Sequence, residues 1–472
     1  MEISVDVAII GAGTAGISAF KEASKKTNKI VMIDHGPLGT TCARVGCMPS
    51  KAFIQVANYF YNRHFFSERG ITGATQLKIH IPEVLNYVRK MRDHFTYGIT
   101  QYLESLNDKF MIGSAEVCEP NVIKINNHKI IAKKIIIATG TESIVPASWG
   151  SPSNEILTSE NFFEQLDFKN KIVVIGAGVI GLELGQALSR CGINISIFHA
   201  QNTIAKLSDP QVNNYAINVI QEEFPLYLNY KAQLEKKNNA FIIKGETESI
   251  ETKQILAALG RKPNLVNINF EKLGIKTDKA GIPLFDNTTM QIKNSSLFIA
   301  GDITKERQLL HESADEGRIA GFNAVRDNPQ CFHRRVPLVI IFSDPNIAIV
   351  GRSFSSLQNV KFITGTVCFD NQGRSRIMSK NRGLLNIYAS ENTGKILGAE
   401  MIAPEGEHLA HLLAWAIQQK MTVFDVLKMP YYHPTIEEGM RTAIRHLANQ
   451  VKSDQKIDEM ALCDSEAVSS LT

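Results

Sequence analysis

The sequence predicts an α/β chain in which one strand–turn–helix unit occurs twice and a smaller α+β unit follows. Three observations carry this reading. The stretch VDVAIIGAGTAGISAF runs from apolar residues through three glycines into a helical pattern. KIVVIGAGVIGLELGQAL repeats that order later in the chain. The chain has 472 residues, too many for one core, and at roughly 100–200 residues per domain about three domains are expected.

In the first unit Gly11, Gly13 and Gly16 permit a tight turn, close approach of backbone to a pyrophosphate, and packing of helix on strand. The next strand, KIVMID, ends in Asp34, where a carboxylate is placed to accept hydrogen bonds from ribose hydroxyls. Strand, glycines and acid in this order describe a Rossmann-like dinucleotide site.

In the second unit Gly176, Gly178 and Gly181 hold the same places. The following strand, INISIFH, ends at His199, as far past Gly181 as Asp34 lies past Gly16. That position therefore lacks the acid that marks an unphosphorylated ribose, and also the Arg expected for a 2′-phosphate. A plain strand-end surface histidine is the other reading. NAD is expected here, with NADP left open. A hydride donor alone needs one unit, whereas a flavin plus a nicotinamide needs two. The pair favours a flavoprotein reductase over a simple dehydrogenase.

Three further stretches read as sheet-end turns. KKIIIATGTES ends a buried strand at Thr139 and Gly140, SSLFIAGDIT ends one at Gly301 and Asp302, and AALGRKPN turns at Gly260 beside the second nucleotide. Asp302 either caps the next turn or meets a ligand hydroxyl from the carboxyl end of the sheet.

Hydrophobic residues make up 44% and charged residues 21%, with a net charge of +4 and no basic stripe. That is a globular composition without a nucleic-acid footprint. No apolar run reaches the ~18 residues of a membrane span, and the first residues lack the order of a secretory signal. A cytoplasmic protein that binds neither nucleic acid nor membrane is expected.

Thiols in that compartment are normally reduced, and disulfides there are catalytic or redox-sensing. Of seven cysteines, Cys118, Cys191, Cys331, Cys368 and Cys463 stand alone and read as small hydrophobes or inert thiols. Cys42 and Cys47, in TTCARVGCMPSK, form the one local pair. Their spacing is compatible with a disulfide across about one helical turn. A metal site would need ligands that do not follow, so no metal is expected and a redox pair is favoured. A helix starts just after Cys47, and a helix N-terminus or a nearby cation lowers a thiol pKa.

Thiol exchange needs a base, and histidine suits it. Among 12 histidines, His433 stands out in YYHPTIEEG. Thr435 and Glu438 read as a capping box that opens the helix EEGMRTAIRHL.

Taken in order, the first glycine motif, TTCARVGCMPSK, the ATG turn, the second glycine motif with Glu183, LFIAGD and HPTIEEG make the chain resemble the pyridine nucleotide-disulfide oxidoreductases. The resemblance is strongest to the dihydrolipoyl dehydrogenases and covers about residues 1–450. It implies FAD on the first unit, NAD(P) on the second, and a C-terminal α+β dimerisation domain that forms a homodimer. It implies a discontinuous FAD-binding domain at 1–148 and 276–335, an NAD(P)-binding domain at 149–275, a dimerisation domain at 336–450 and a polar tail at 451–472. It assigns Gly11, Gly13, Gly16, Asp34, Lys51, Ala115, Thr139, Gly140 and Asp302 to FAD, and Gly176, Gly178, Gly181, Glu183, His199 and Gly260 to NAD(P).

By the same resemblance, Cys47 faces the flavin, Cys42 meets the substrate sulfur, and Lys51 approaches the flavin paired with Glu183. Glu438 fixes the tautomer of His433, and His433 serves the cysteine pair of the other subunit. The bland readings are a solvated Lys51 and a Glu438 that only caps. The implied activity oxidises dihydrolipoamide, free or on a lipoyl domain of a 2-oxoacid dehydrogenase complex, and reduces NAD+. One alternative is an NADPH-dependent disulfide reductase of the glutathione-reductase type. Another is a non-catalytic dimeric component of a larger complex.

The chain departs from the family pattern at Thr40, where glycine is usual, and at Ala43 and Arg44, where Leu and Asn are usual. Tyr431 and Tyr432 precede His433 in place of a His and a small residue, and His199 replaces an acid. IPEVLNYVRKMRDHFTYGITQYLESL reads as an amphipathic helix with Val84, Val88, Met91 and Phe95 on one side. EHLAHLLAWAIQQKMTVFDVL, with Trp415, suits a dimer interface. From about Val451 the chain reads as a loose polar tail. Its single Cys463 cannot form the C-terminal cysteine pair of mercuric reductases.

Overall fold

The computed structural model describes residues 2–237, 240–244, 249–265, 267–452 and 459–460. Parallel strands are covered on both faces and demand near-continuous apolar runs. The chain supplies them in β1 (Glu2–Ile10), which leads through α1 (Thr14–Ala23) to β2 (Ile30–Asp34). Then come α2 (Thr41–Arg44), α3 (Cys47–Tyr61) and α4 (Ile81–Glu104). The chain re-enters the sheet as β3 (Phe110–Ile112), β4 (Ala115–Glu119), β5 (Val122–Ile125) and β6 (His128–Ile137). β3, β2, β1 and β6 lie parallel, with Ile9 between Met32 and Ile136. β5 and β4 extend the sheet antiparallel.

β7 (Thr141–Ser143) leaves this layer. A second layer follows with β8 (Ile156–Leu157), α5 (Ser159–Phe162), β9 (Lys171–Ile175), α6 (Val179–Arg190), β10 (Asn194–Phe198), α7 (Pro210–Gln221) and β11 (Leu226–Tyr227). A small antiparallel sheet of β12 (Gln233–Lys237), β13 (Ala240–Lys244) and β14 (Ser249–Thr252) intervenes. β15 (Ile255–Ala257) then completes a parallel sheet ordered β11-β10-β9-β15-β8.

β16 (Arg261–Pro263) returns alongside β7, so the outgoing and incoming strands pair. Ile268 and Phe270 are already buried in the core of the first sheet. The chain thus rejoins the first layer before residue 276, the boundary expected from sequence, because these apolar side chains find their cover there. β17 (Leu297–Ile299) adds to β6, and α8 (Leu310–Ala324) packs on α1. Gly317 and Gly321 allow that close approach: a Cβ on either would lie 2.2 or 2.3 Å from the Ala15 or Ala19 carbonyl oxygen.

The last layer is an antiparallel sheet of β18 (Leu338–Ile341), β19 (Asn346–Gly351), β20 (Phe362–Cys368), β21 (Leu384–Ser390) and β22 (Ile396–Ala403), with α9 (Gly373–Ile377) between β20 and β21. α10 (Gly406–Gln418), α11 (Val423–Leu427) and α12 (Glu437–Ala448) complete it. Leu409 and Leu413 share its core with Met440 and Ile444.

A single core ties the layers together, joining Phe53 of α3 to Leu182 of α6 and to Ile341 and Ile347 of the last sheet. α4 buries Val84 and Val88 as its pattern predicts, with Met91 and Phe95 half-buried. Trp415 is 64% exposed and Tyr432 82% exposed, which leaves apolar surface on the last layer for a partner. No described helix is long and apolar enough to cross a membrane. Cys463 and most of the expected tail lie outside the described residues.

Candidate active site

The two glycine turns are built alike. A Cβ on Gly16 would lie 1.8 Å from the Gly11 carbonyl oxygen, and one on Gly181 would lie 1.9 Å from that of Gly176. Packing alone therefore requires these glycines. Gly13 and Gly178 differ, because nothing lies within 4 Å of a Cβ built on either. Each turn keeps a cradle at its middle glycine, which a side chain would fill and a pyrophosphate fits. Both donor sets suit dinucleotides.

The strand-end residues close these turns. Asp34 accepts from the Ala12 N–H at 2.6 Å and from the Gly36 N–H at 2.7 Å. In the second unit His199 Nδ1 accepts from the Ala177 N–H at 3.2 Å. His199 is thus no idle surface residue. Burial holds its pKa below the ordinary histidine value.

Other expected positions take structural partners. Thr139 Oγ1 donates to the Asn264 carbonyl at 2.6 Å, and the Asn264 amide nitrogen donates back to the Thr139 carbonyl at 3.1 Å. The Gly140 carbonyl accepts from the Asn264 N–H, and the Gly260 carbonyl accepts from the Ile144 N–H. These bonds brace the β7–β16 crossing. Ala115 is buried at the start of β4. Asp302 Oδ1 accepts from Ser313 Oγ at 2.7 Å, so α8 orients it and it does not cap its own turn. Beside it the Gly301 N–H donates to Glu316, whose carboxyl is pushed up to about 7 by burial.

The cysteines sit on two consecutive helices. Thr40 is the N-cap of α2, its Oγ1 accepting from the Ala43 N–H at 3.2 Å. Cys42 follows on α2, and Cys47 opens α3. The two thiols act on each other, and this splits their acidities. Cys47 is lowered to about 7, first by the neighbouring Cys42 thiol and also by Lys51, and the Cys42 thiol is pushed up by Cys47 and by burial.

Lys51, one turn further along α3, meets Glu183 of α6 at 2.7 Å. Glu183 is 4% exposed, and its other oxygen accepts from the Phe342 N–H at 2.9 Å. The Phe342 ring lies 4.7 Å from the Lys51 nitrogen. Glu183 therefore joins the cysteine helix rather than the second glycine cradle. No local pattern marks Phe342, which comes from the last layer. Burial lowers the Arg44 pKa, and its Nε is buried with no hydrogen-bond partner among the described residues.

His433 Nδ1 lies 3.0 and 3.1 Å from the two Glu438 oxygens. Its hydrogen bond, first, holds the Glu438 carboxyl below the usual range. Only half of the expected capping box forms. Glu438 accepts from the Thr435 N–H at 3.1 Å, but Thr435 Oγ1 donates to the Tyr432 carbonyl instead of capping the helix. The His433 side chain is 81% exposed. The structure brings Cys42, Cys47, Lys51 and Glu183 together, and places His433 with Glu438 on the exposed face of the last layer.

Residues 5–317 match the family model described as pyridine nucleotide-disulphide oxidoreductase. The chain belongs to that family. Residues 337–444 match the dimerisation domain of pyridine nucleotide-disulphide oxidoreductases, which supports a homodimer. Pyridine nucleotide-disulphide oxidoreductases use FAD and NAD(P), in keeping with the two cradles.

A mercuric reductase of Staphylococcus aureus is 27% identical over 97% of this chain and 84% of its own. A dihydrolipoyl dehydrogenase of Buchnera aphidicola is 28% identical over 94% of this chain and 95% of its own. In fold, LpdA from Mycobacterium tuberculosis matches with a TM-score of 0.82 at 22% identity, covering 94% of this chain and 100% of that one. The HOCl-induced flavoprotein disulfide reductase RclA from Escherichia coli matches with a TM-score of 0.79 at 18% identity, covering 94% and 99%. This oxidoreductase thus has relatives with different named substrates.

Proposed function

We propose that this oxidoreductase converts dihydrolipoamide, free or on a lipoyl domain, to the disulfide form and reduces NAD+. The observation that carries the reading is the placement of Cys42 on α2 and Cys47 at the start of α3, one turn before the Lys51–Glu183 ion pair. Cys47 is lowered to about 7, as a leaving thiolate beside Lys51 requires. The first cradle, with Asp34, Lys51 and Asp302, would hold FAD, and the second, with His199 and Gly260, the nicotinamide dinucleotide. When bound, FAD supplies two-electron transfer between the cysteine pair and NAD+.

The protein's own residues do the thiol chemistry. His433 Nε2 takes a proton from the incoming dithiol while Glu438 fixes Nδ1. The substrate thiolate attacks Cys42 Sγ, breaks the Cys42–Cys47 bond and releases Cys47 as thiolate beside Lys51. The second substrate sulfur then attacks the mixed disulfide, closes the substrate ring and frees Cys42. Two electrons now reside on the cysteine pair. His433 belongs to the partner subunit in this scheme, in keeping with its exposure.

His199 favours a second reading, a disulfide reductase fed by NADPH, because no carboxylate stands at that strand end. The intact Cys42, Cys47, His433 and Glu438 set argues against a non-catalytic component. The test is turnover of purified holoenzyme with dihydrolipoamide and either NAD+ or NADP+, alongside oxidised glutathione or mercuric ion with NADH or NADPH. Dihydrolipoamide oxidation is expected; none with either dinucleotide overturns the substrate assignment.

A further inference from the structure

Asp34 and His199 occupy matching strand ends and make the same bond. Each accepts from the alanine N–H between the first two glycines of its turn, Ala12 in one case and Ala177 in the other. In the first unit the acceptor is an anionic carboxylate. In the second it is a ring nitrogen with a lone pair. An imidazole whose Nδ1 accepts is neutral and carries its proton on Nε2. Burial, which holds the His199 pKa down, favours that form.

The backbone around His199 is fixed as well. Its N–H donates to the Tyr227 carbonyl at 2.8 Å, and its carbonyl accepts from the Tyr230 N–H at 2.8 Å. The strand end is therefore as well anchored as one bearing an acid, but it lacks the charge.

The loop that follows carries no negative charge of its own in its place, and the carboxylate that meets its far end, Glu400, is fully buried and held by the Ser208 and Asp209 N–H groups. From His199 to Ser208 the sequence HAQNTIAKLS contains no carboxylate, and its one fixed charge is the exposed Lys206. Asp209 follows, but it is 2% exposed and engaged with Asn386 and Tyr388 in addition to capping α7. A carboxylate at a strand end accepts from a ribose 2′-hydroxyl and repels a 2′-phosphate. His199 keeps the turn closed without that repulsion.

We propose that the second dinucleotide site accepts nicotinamide dinucleotides with either a 2′-hydroxyl or a 2′-phosphate, and that His199 is the residue that removes the discrimination. The inference rests on the reading that this unit binds a nicotinamide dinucleotide. It separates two tasks of the usual acid: closing the turn, which His199 retains, and excluding the phosphate, which it abandons.

The test is calorimetric binding of NAD+ and of NADP+ to the FAD-loaded dimer, with no substrate present. The wild-type protein is expected to bind the two within about tenfold of each other. His199→Glu restores an anionic acceptor for the Ala177 N–H, so it should weaken NADP+ by about tenfold or more while sparing NAD+. His199→Ala removes the acceptor and should weaken both. Unchanged FAD content and circular dichroism identify folded variants. A wild-type preference of about a hundredfold or more for either dinucleotide, or an unchanged ratio in folded His199→Glu, would overturn the inference. Binding of neither dinucleotide by folded wild-type protein would overturn the assignment of the unit and the inference with it.

Discussion

Lys51 Nζ lies 2.7 Å from Glu183 Oε2, joining the helix that opens at Cys47 to the helix that follows Gly178. The two charges act on the Cys47 thiol in opposite directions: Lys51 lowers its pKa and Glu183 raises it. Lys51→Met should move the Cys47 pKa up from about 7, and Glu183→Gln should move it down. The pH dependence of alkylation of the reduced protein reads both. Glu183→Gln should also destabilise the fold, by less than the about 3–5 kcal/mol of a fully buried pair, because the Lys51 side chain is 32% exposed. Urea unfolding measures the loss.

The neighbouring Cys42 thiol is the largest cause of the lowered Cys47 pKa. The thiolate is populated above about 7 and lost as pH falls through that value. Cys42→Ala removes the donor beside the sulfur, so its alkylation profile should shift to higher pH. An unchanged profile would show that Cys42 does not set the acidity of Cys47.

Gly13 and Gly16 should fail differently. Gly16→Ala places a methyl 1.8 Å from the Gly11 carbonyl oxygen, and the turn must open. Gly13→Ala meets nothing within 4 Å, so the chain should fold with native circular dichroism and still lose bound FAD. Absorbance of the purified variants, compared with their unfolding curves, separates the two effects.

Thr40 replaces a usual glycine and caps α2. Thr40→Ala should cost about 0.5–2 kcal/mol, and Thr40→Gly only a few tenths. Equal losses in urea unfolding would remove the capping account.

His433→Ala should lower kcat by about 10²–10⁴ as a lost general base, and Glu438→Gln should lower it less. If His433 serves the partner's cysteines, co-expressed Cys42→Ser and His433→Ala chains should form hybrid dimers with one intact site. Activity in the separated hybrid, against inactive parents, is the expected result.

Local chemistry made the nucleotide units legible in the sequence. A glycine that packs against a carbonyl five residues earlier leaves a fixed spacing, and Asp34 closes its own turn at a fixed interval. Cys42 with Cys47 and His433 with Glu438 were legible for the same reason. Long-range partners were not. Phe342 meets Glu183 from another layer, and Asn264 locks Thr139 across the β7–β16 crossing, with no periodicity to announce either. The capping box at Thr435 failed because its hydroxyl found the Tyr432 carbonyl first, while Glu438 was held by His433. The bond of His199 became visible only when its turn was seen beside that of Asp34.

The central claim is that Cys42 and Cys47 exchange two electrons with the nicotinamide dinucleotide. Anaerobic alkylation of the oxidised FAD-loaded protein, followed by peptide mass spectrometry, tests it directly. Both cysteines should resist alkylation as a joined pair, and both should become modified after one equivalent of NADH. Free thiols at Cys42 and Cys47 before NADH, or a joined pair that survives it, would contradict the account.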